Sequence, residues 1–222
     1  MTDVASLGAR QRVAVVVGML MVVGASDTTA APCGQPVTEP PALEVVTRVG
    51  PTTLRRVSSE RLARGWRSSS RHRVAGRVLG MTVWRLKGEA SMDATTVGDG
   101  CLTVTSVQAE ITLLQEVRID RRYRPGSCQD RQIRAHEDEH VRYNRDGFRS
   151  LQPTARALLA DRLTGIGGRT LAADTADTML GKWLAEATDA VGRELERQTS
   201  ARHGNLDTPA SYRRWLSACS NW

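Results

Sequence analysis

The chain has 222 residues, 40% hydrophobic and 25% charged, which suits one globular domain with a buried core. Its net charge of +7 is carried almost wholly by arginine, since lysine occurs only at Lys87 and Lys182. The arginines are scattered among acids instead of forming one basic face with interleaved aromatics, so a nucleic-acid footprint is excluded from the expectations.

Arg10 and Arg12 precede the short apolar run 13–24, and the small residues Ala25, Ser26, Ala30 and Ala31 follow. A basic start, apolar centre and small-residue cleavage zone read as a signal peptide over residues 1–31. The protein is therefore expected to be secreted or to reside in the periplasm or cell envelope. Four cysteines, Cys33, Cys101, Cys128 and Cys219, fit that route and imply two disulfides. The pairing preferred at this point is Cys101–Cys128 with Cys33–Cys219. Their wide spacing is wrong for a cysteine zinc cluster.

Residues 32–77 form a proline- and arginine-rich lead, with a possible strand over Leu43–Val49 and a short helix or loop over Arg55–Ser70. Its densest basic stretch, Arg55–Arg73, is a candidate for loose contact with an anionic envelope surface. Val78–Leu86 has the β-branched and aromatic content of a strand, and Lys87–Gly100 reads as a turn. Leu102 and Val104 alternate, and then Val107, Ala109, Ile111 and Leu113 alternate on the opposite parity. That switch predicts a bulge or bend near Thr105–Ser106. These strands suggest a small, mostly antiparallel sheet.

After Pro125-Gly126 the period becomes helical. Asp130–Leu151 reads as one helix, Ala155–Leu163 as a second beyond Pro153, and a long third begins near Asp174 or Thr175. The third carries Leu180, Trp183, Leu184, Ala187, Val191 and Leu195 as an apolar stripe and ends with Gly204 as a C-cap. Asp207 or Thr208 then caps a last short helix starting at Pro209. Strands followed by helices make the expected fold α+β, with residues 78–222 as the functional domain.

The first of these helices contains His136-Glu137-Asp138-Glu139-His140. Residues four apart share a helix face, so His136 and His140 can hold one Zn²⁺ ion, with Glu137 as general base toward its water. A catalytic zinc site takes a third protein ligand. His72 lies between Arg71 and Arg73, where cations oppose a metal. His203 ends the long helix and can fold back on the motif, so it is the expected third ligand. Asp146 is the alternative, though an unbroken helix would turn it away. Arg202, Tyr123 and Tyr212 are candidate donors to an oxyanion.

The chain resembles a family of bacterial exported zinc-dependent protease-like proteins, known as an HExxH-containing domain of unknown function. The likeness covers roughly Val78 to Trp215: the strand Gly80-Met81-Thr82-Val83-Trp84, the Cys101 strand, Cys128 ahead of His136–His140, and Thr199–Gly204 with Trp215 downstream. A Thr-x-x-His-Gly-like element recurs in that family after a long helix. Here three residues separate Thr199 from His203, one more than in that element, and Tyr212 stands where a glutamine is expected. The resemblance implies a zinc metallopeptidase acting on a peptide or protein substrate, with His203 among the metal ligands. The competing expectation is a non-catalytic cell-envelope protein in which the metal only staples the helices.

Overall fold

The computed structural model describes residues 14–15, 33–34, 36–37, 39–66, 78–97, 100–166, 169–220 and 222. The expected signal segment, apart from Ala14–Val15, and the arginines and histidine of 67–73 lie outside the described residues. Five strands precede or accompany five helices: β1 (Ala14–Val15), β2 (Ala42–Val57), α1 (Ser59–Trp66), β3 (Gly80–Val97), β4 (Cys101–Asp120), α2 (Cys128–Arg149), α3 (Gln152–Ile166), β5 (Leu171–Ala172), α4 (Ala173–Leu206) and α5 (Pro209–Leu216). The fold is α+β, as its sequence pattern predicts. The sheet is mixed, ordered β1-β3-β4-β2 with β5 beside β4. β1 joins β3 in parallel and β5 joins β4 antiparallel. No helix among the described residues is long and apolar enough to cross a membrane.

The sheet is less small than expected. β3 runs on through Val97, so most of the stretch read as a turn is strand, and the chain reverses only around Gly100, where φ is +83°. Gly88, Glu89, Ala90 and Ser91 look turn-forming by composition, but Gly88, Ala90 and Met92 are the inward-facing members of an alternating strand. Gly88 is required by packing: a Cβ there would stand 2.7 Å from Thr188 Oγ1 and 3.0 Å from Leu184 Cγ of α4. The parity switch is present in the burial: Leu102 and Val104 are buried, and then Val107, Ala109, Ile111 and Leu113 are, within one continuous strand. Thr105 Oγ1 and Ser106 Oγ at the switch donate to Asp93 O and Asp93 Oδ2 of β3.

The chain divides into two compact units, with β2, β3, β4 and α4 each contributing to both. One unit comprises residues 1–48, 86–112 and 151–192. It holds α3 and the apolar stripe of α4, where Leu180, Trp183, Leu184, Ala187 and Val191 are all buried. The other unit comprises residues 49–85, 113–150 and 193–222. Val117, Ile119, Ile133 and Val141 pack there with Leu79, Tyr123 and Trp222, and Val57, Leu62 and Met81 form a second cluster. The histidine motif belongs to this second unit.

Each unit has its own disulfide, Cys33–Cys101 in the first and Cys128–Cys219 in the second. This pairing corrects the preferred connectivity. Cys128 opens α2 and Cys219 lies just beyond α5, so the helix ends bring those two together. Two disulfides with no free cysteine point to an oxidising compartment.

Candidate metal centre

α2 starts where Ser127 Oγ accepts from the Asp130 N–H, a standard N-cap, and Asp130 adds negative charge in the first turn. Burial alone would raise the Asp130 pKa. The Gly126 N–H and the Arg56 guanidinium, 2.7 Å away, outweigh it and hold the carboxylate below its ordinary range. Arg56 also donates to Tyr123 O, so this pair fixes the start of α2 to the end of β2.

The buried face of α2 is unusually polar. Asp130, His136, Glu137, His140 and Asn144 share it with Ile133, Val141 and Phe148. Burying such groups is costly unless each finds a partner, so the face marks a site more than a core. The partners come from the end of α4. Gly147 lets that helix approach: a Cβ there would stand 3.0 Å from both Leu195 Cδ1 and Thr199 Cγ2. One to two turns further along α4, His203 faces Asn144 and His140. Asp207 follows in the turn between α4 and α5, facing His140 and His136.

Asp207 owes its position to a helix longer than the sequence suggests. α4 does not stop at Gly204 but continues to Leu206, and the Asp207 N–H still bonds to His203 O. Thr208, with its Oγ1 accepting from the Ser211 N–H and Pro209 at the next position, caps α5. The capping duty falls on Thr208, leaving the Asp207 carboxylate free to turn inward.

His136 Nε2, His140 Nε2 and Asp207 Oδ1 form a tight triangle. The two imidazole nitrogens are 3.0 and 3.1 Å from the carboxylate oxygen and 3.1 Å from each other. Hydrogen bonding accounts for at most two of these three edges. If both nitrogens carry protons toward Asp207, their hydrogens face each other. If one is bare, its lone pair faces the other nitrogen or the carboxylate. A cation satisfies all three lone pairs together. Ideal tetrahedral zinc with bonds near 2.05 Å sets its ligand atoms about 3.3 Å apart, close to the observed edges. These three residues can therefore hold a metal ion.

The electrostatics favour the ligand forms of His136 and Asp207, while at His140 they favour the proton. Burial lowers the His136 pKa, favouring the neutral ligand form. At His140 burial also works against the proton, but the Asp207 bond and the Glu137 charge raise the net value. Burial would raise Asp207, yet the two imidazoles hold it well below the usual carboxylate range. His136 Nδ1 is buried without a hydrogen-bond partner among the described residues. Its ring is held instead by aromatic packing, with Trp215 perpendicular to it at 3.9 Å between centroids and Tyr212 at 5.3 Å.

Glu137, the residue after His136 on α2, is buried and bonded to β3. Its Oε2 accepts from Thr82 Oγ1 at 2.8 Å, and Thr82 Oγ1 also lies 3.1 Å from Glu137 O. Gly80 makes room for it, since a Cβ there would come within 2.8 Å of Oε1 and 2.6 Å of Ile133 Cγ2. Burial pushes the Glu137 pKa up to about 7, against the lowering effects of His140 and Thr82.

The structure thus brings His136, Glu137, His140 and His203 together. His203 reaches the Nδ1 side of His140, away from the triangle, with Nδ1 to Nδ1 at 2.6 Å. Asp207, which the sequence suggests only as a helix cap, offers the third atom of the group that could hold a metal ion. Asp146 is exposed and pairs with Arg142 and Arg149. Of the three oxyanion candidates, Tyr212 is at the site, its hydroxyl 3.4 Å from Asp207 Oδ1. Tyr123 packs on Trp222, and Arg202 is exposed over Tyr143.

A scan against protein-family models found no match, and searches of curated proteins and of solved structures found none either.

Proposed function

We propose that the protein is an exported zinc-dependent metallopeptidase, with His136, His140 and Asp207 holding the metal and Glu137 acting as general base. The observation that carries this reading is the His136–His140–Asp207 triangle, with a buried glutamate directly after its first member. Two imidazoles and one carboxylate suit zinc and match the three-ligand set of catalytic zinc sites. Bound zinc supplies Lewis acidity toward water and toward the scissile carbonyl.

The chain's own groups would do the rest. Glu137 takes a proton from the attacking water and returns it to the leaving amine nitrogen, so that hydrolysis ends with the carboxylate restored. Thr82 fixes the orientation of that carboxylate. The Tyr212 hydroxyl, 3.4 Å from Asp207 Oδ1, would turn to donate to the oxygen on which negative charge develops. Access comes from the side of Asp207 and His140, whose side chains are 20% and 11% exposed, whereas His136 is 4% exposed. The resemblance to exported zinc-dependent protease-like proteins and the two disulfides support the same reading.

The test is metal analysis of purified protein together with cleavage of a peptide library. About one zinc per chain and chelator-sensitive cleavage are expected. Zinc bound with no exchangeable water, and no cleavage of any peptide, would overturn catalysis in favour of a structural metal.

A further inference from the structure

We infer that His203 is a positioning residue that fixes the tautomer of His140 through a hydrogen-bond chain anchored on buried Gln115 and Asn144, and is not itself a metal ligand. The inference rests on the metal-site reading above and assigns His203 its place in it.

The chain begins at Gln115 on β4 and ends at the triangle. Asn144 Nδ2 donates to Gln115 Oε1 at 3.2 Å, which leaves Asn144 Oδ1 as an acceptor. That oxygen lies 3.0 Å from His203 Nε2, so Nε2 carries the proton. A neutral His203 protonated there presents a bare Nδ1, and this nitrogen lies 2.6 Å from His140 Nδ1. His140 must therefore carry its proton on Nδ1 and present the Nε2 lone pair toward His136 and Asp207. Each step follows from one donor facing one acceptor.

The same polarity follows from the other end. A metal taken by His140 Nε2 leaves the proton on Nδ1, which needs an acceptor, and His203 Nδ1 is the atom within reach. Gln115 and Asn144 are 3% and 1% exposed, so water does not substitute along this part of the chain. Metal-ligating histidines commonly donate their second N–H to a carboxylate, carbonyl or water. Here a second imidazole, itself oriented by two amides, takes that role. His136 has no equivalent support, so His140 is the ligand whose orientation is set by hydrogen bonding.

The test uses the full chain loaded with Zn²⁺, compared by nitrogen-15 NMR of the imidazoles and by chelator competition. The wild type should show a hydrogen-bonded Nδ1–H on His140 and a neutral, unligated His203 protonated on Nε2. A ligated Nδ1 on His203, or a proton there, would overturn the inference without using any variant. His203→Leu should weaken Zn²⁺ binding by about 10–100-fold, the usual cost of losing an outer partner. His203→Gln should recover most of that loss, because its carbonyl can accept from His140 and its amide can donate to Asn144. If His203→Gln is as weak as His203→Leu, the imidazole itself is a ligand and the inference fails. If His136→Ala loses zinc while His203→Leu binds like the wild type, the inference fails and the metal reading stands. If His136→Ala also binds like the wild type, the metal reading itself fails.

Discussion

Asp207 Oδ1 lies 3.0 Å from His136 Nε2, joining the turn after α4 to the middle of α2. The same oxygen is 3.1 Å from His140 Nε2, so one carboxylate faces two imidazoles a helical turn apart. Two neutral histidines could both donate to this oxygen, but their hydrogens would then face each other across the 3.1 Å between the nitrogens. As part of a metal site it is the anionic ligand that offsets the charge of a divalent cation.

Asp207→Ala should therefore reduce zinc occupancy far more than any other single carboxylate change. Asp207→Asn, which keeps the oxygen but loses the charge, should fall between it and the wild type. Asp146→Ala should leave occupancy unchanged, since Asp146 is exposed on the outer face of α2, where it pairs with Arg142 and Arg149. Equal zinc content in Asp207→Ala and wild-type protein, measured by elemental mass spectrometry, would remove Asp207 from the site.

Gly80 and Thr82 should matter for chemistry and much less for the metal. Gly80→Ala places a methyl within 2.8 Å of Glu137 Oε1 and 2.6 Å of the buried Ile133, so the glutamate must move. Thr82→Val removes the 2.8 Å bond to Oε2 while keeping the shape of the side chain. Both variants should keep zinc and lose turnover, with KM changing less than kcat. Loss of zinc in folded Thr82→Val protein would show that Thr82 supports the ligands instead.

The Arg56–Asp130 pair gives a prediction in pH. Asp130 is 1% exposed and its folded pKa lies below the ordinary 3.8. A depressed carboxylate pKa contributes stability that is fully present above the unfolded value. That contribution is lost as pH falls through the folded value. Asp130→Asn should therefore lower stability at pH 7, by about 2 kcal/mol for a charge-assisted bond with partly exposed Arg56, and flatten the acid limb below pH 4. An unchanged slope of melting temperature between pH 5 and pH 2 would rule the pair out as an acid-sensitive clasp.

Much of this architecture is legible in the chain because periodicity reports burial directly. The apolar stripe of α4, the break near Pro153, the parity switch at Thr105–Ser106 and the histidine pair four apart each correspond to an observed feature. The misreadings have local physical causes. Gly88, Ala90 and Ser91 resemble a turn because small residues serve both turns and tight strand–helix contacts. Gly204 resembles a helix end, and stopping α4 there hides Asp207, which gains its place only if the helix carries on one more turn beyond His203. A threonine followed by proline was the available signal: with Thr208 able to cap α5, Asp207 was free for other work. The disulfide pairing depends on which helix ends meet, and cysteine spacing does not encode that.

Glu137→Gln is the decisive substitution for catalysis. The glutamate follows a ligand in sequence, but its carboxylate bonds to Thr82 and takes no part in the triangle. A glutamine amide oxygen can accept the same Thr82 bond, and the space left by Gly80 admits a side chain of the same size. Folding and zinc content should therefore be preserved. What disappears is the group that takes the water proton and delivers it to the leaving amine, a role worth about 10²–10⁴ in rate. The measurement is cleavage of whichever library peptide the wild type cuts best, normalised to zinc content. A Glu137→Gln variant that cleaves as fast as the wild type would eliminate Glu137 as the base, even with the metal bound by His136, His140 and Asp207.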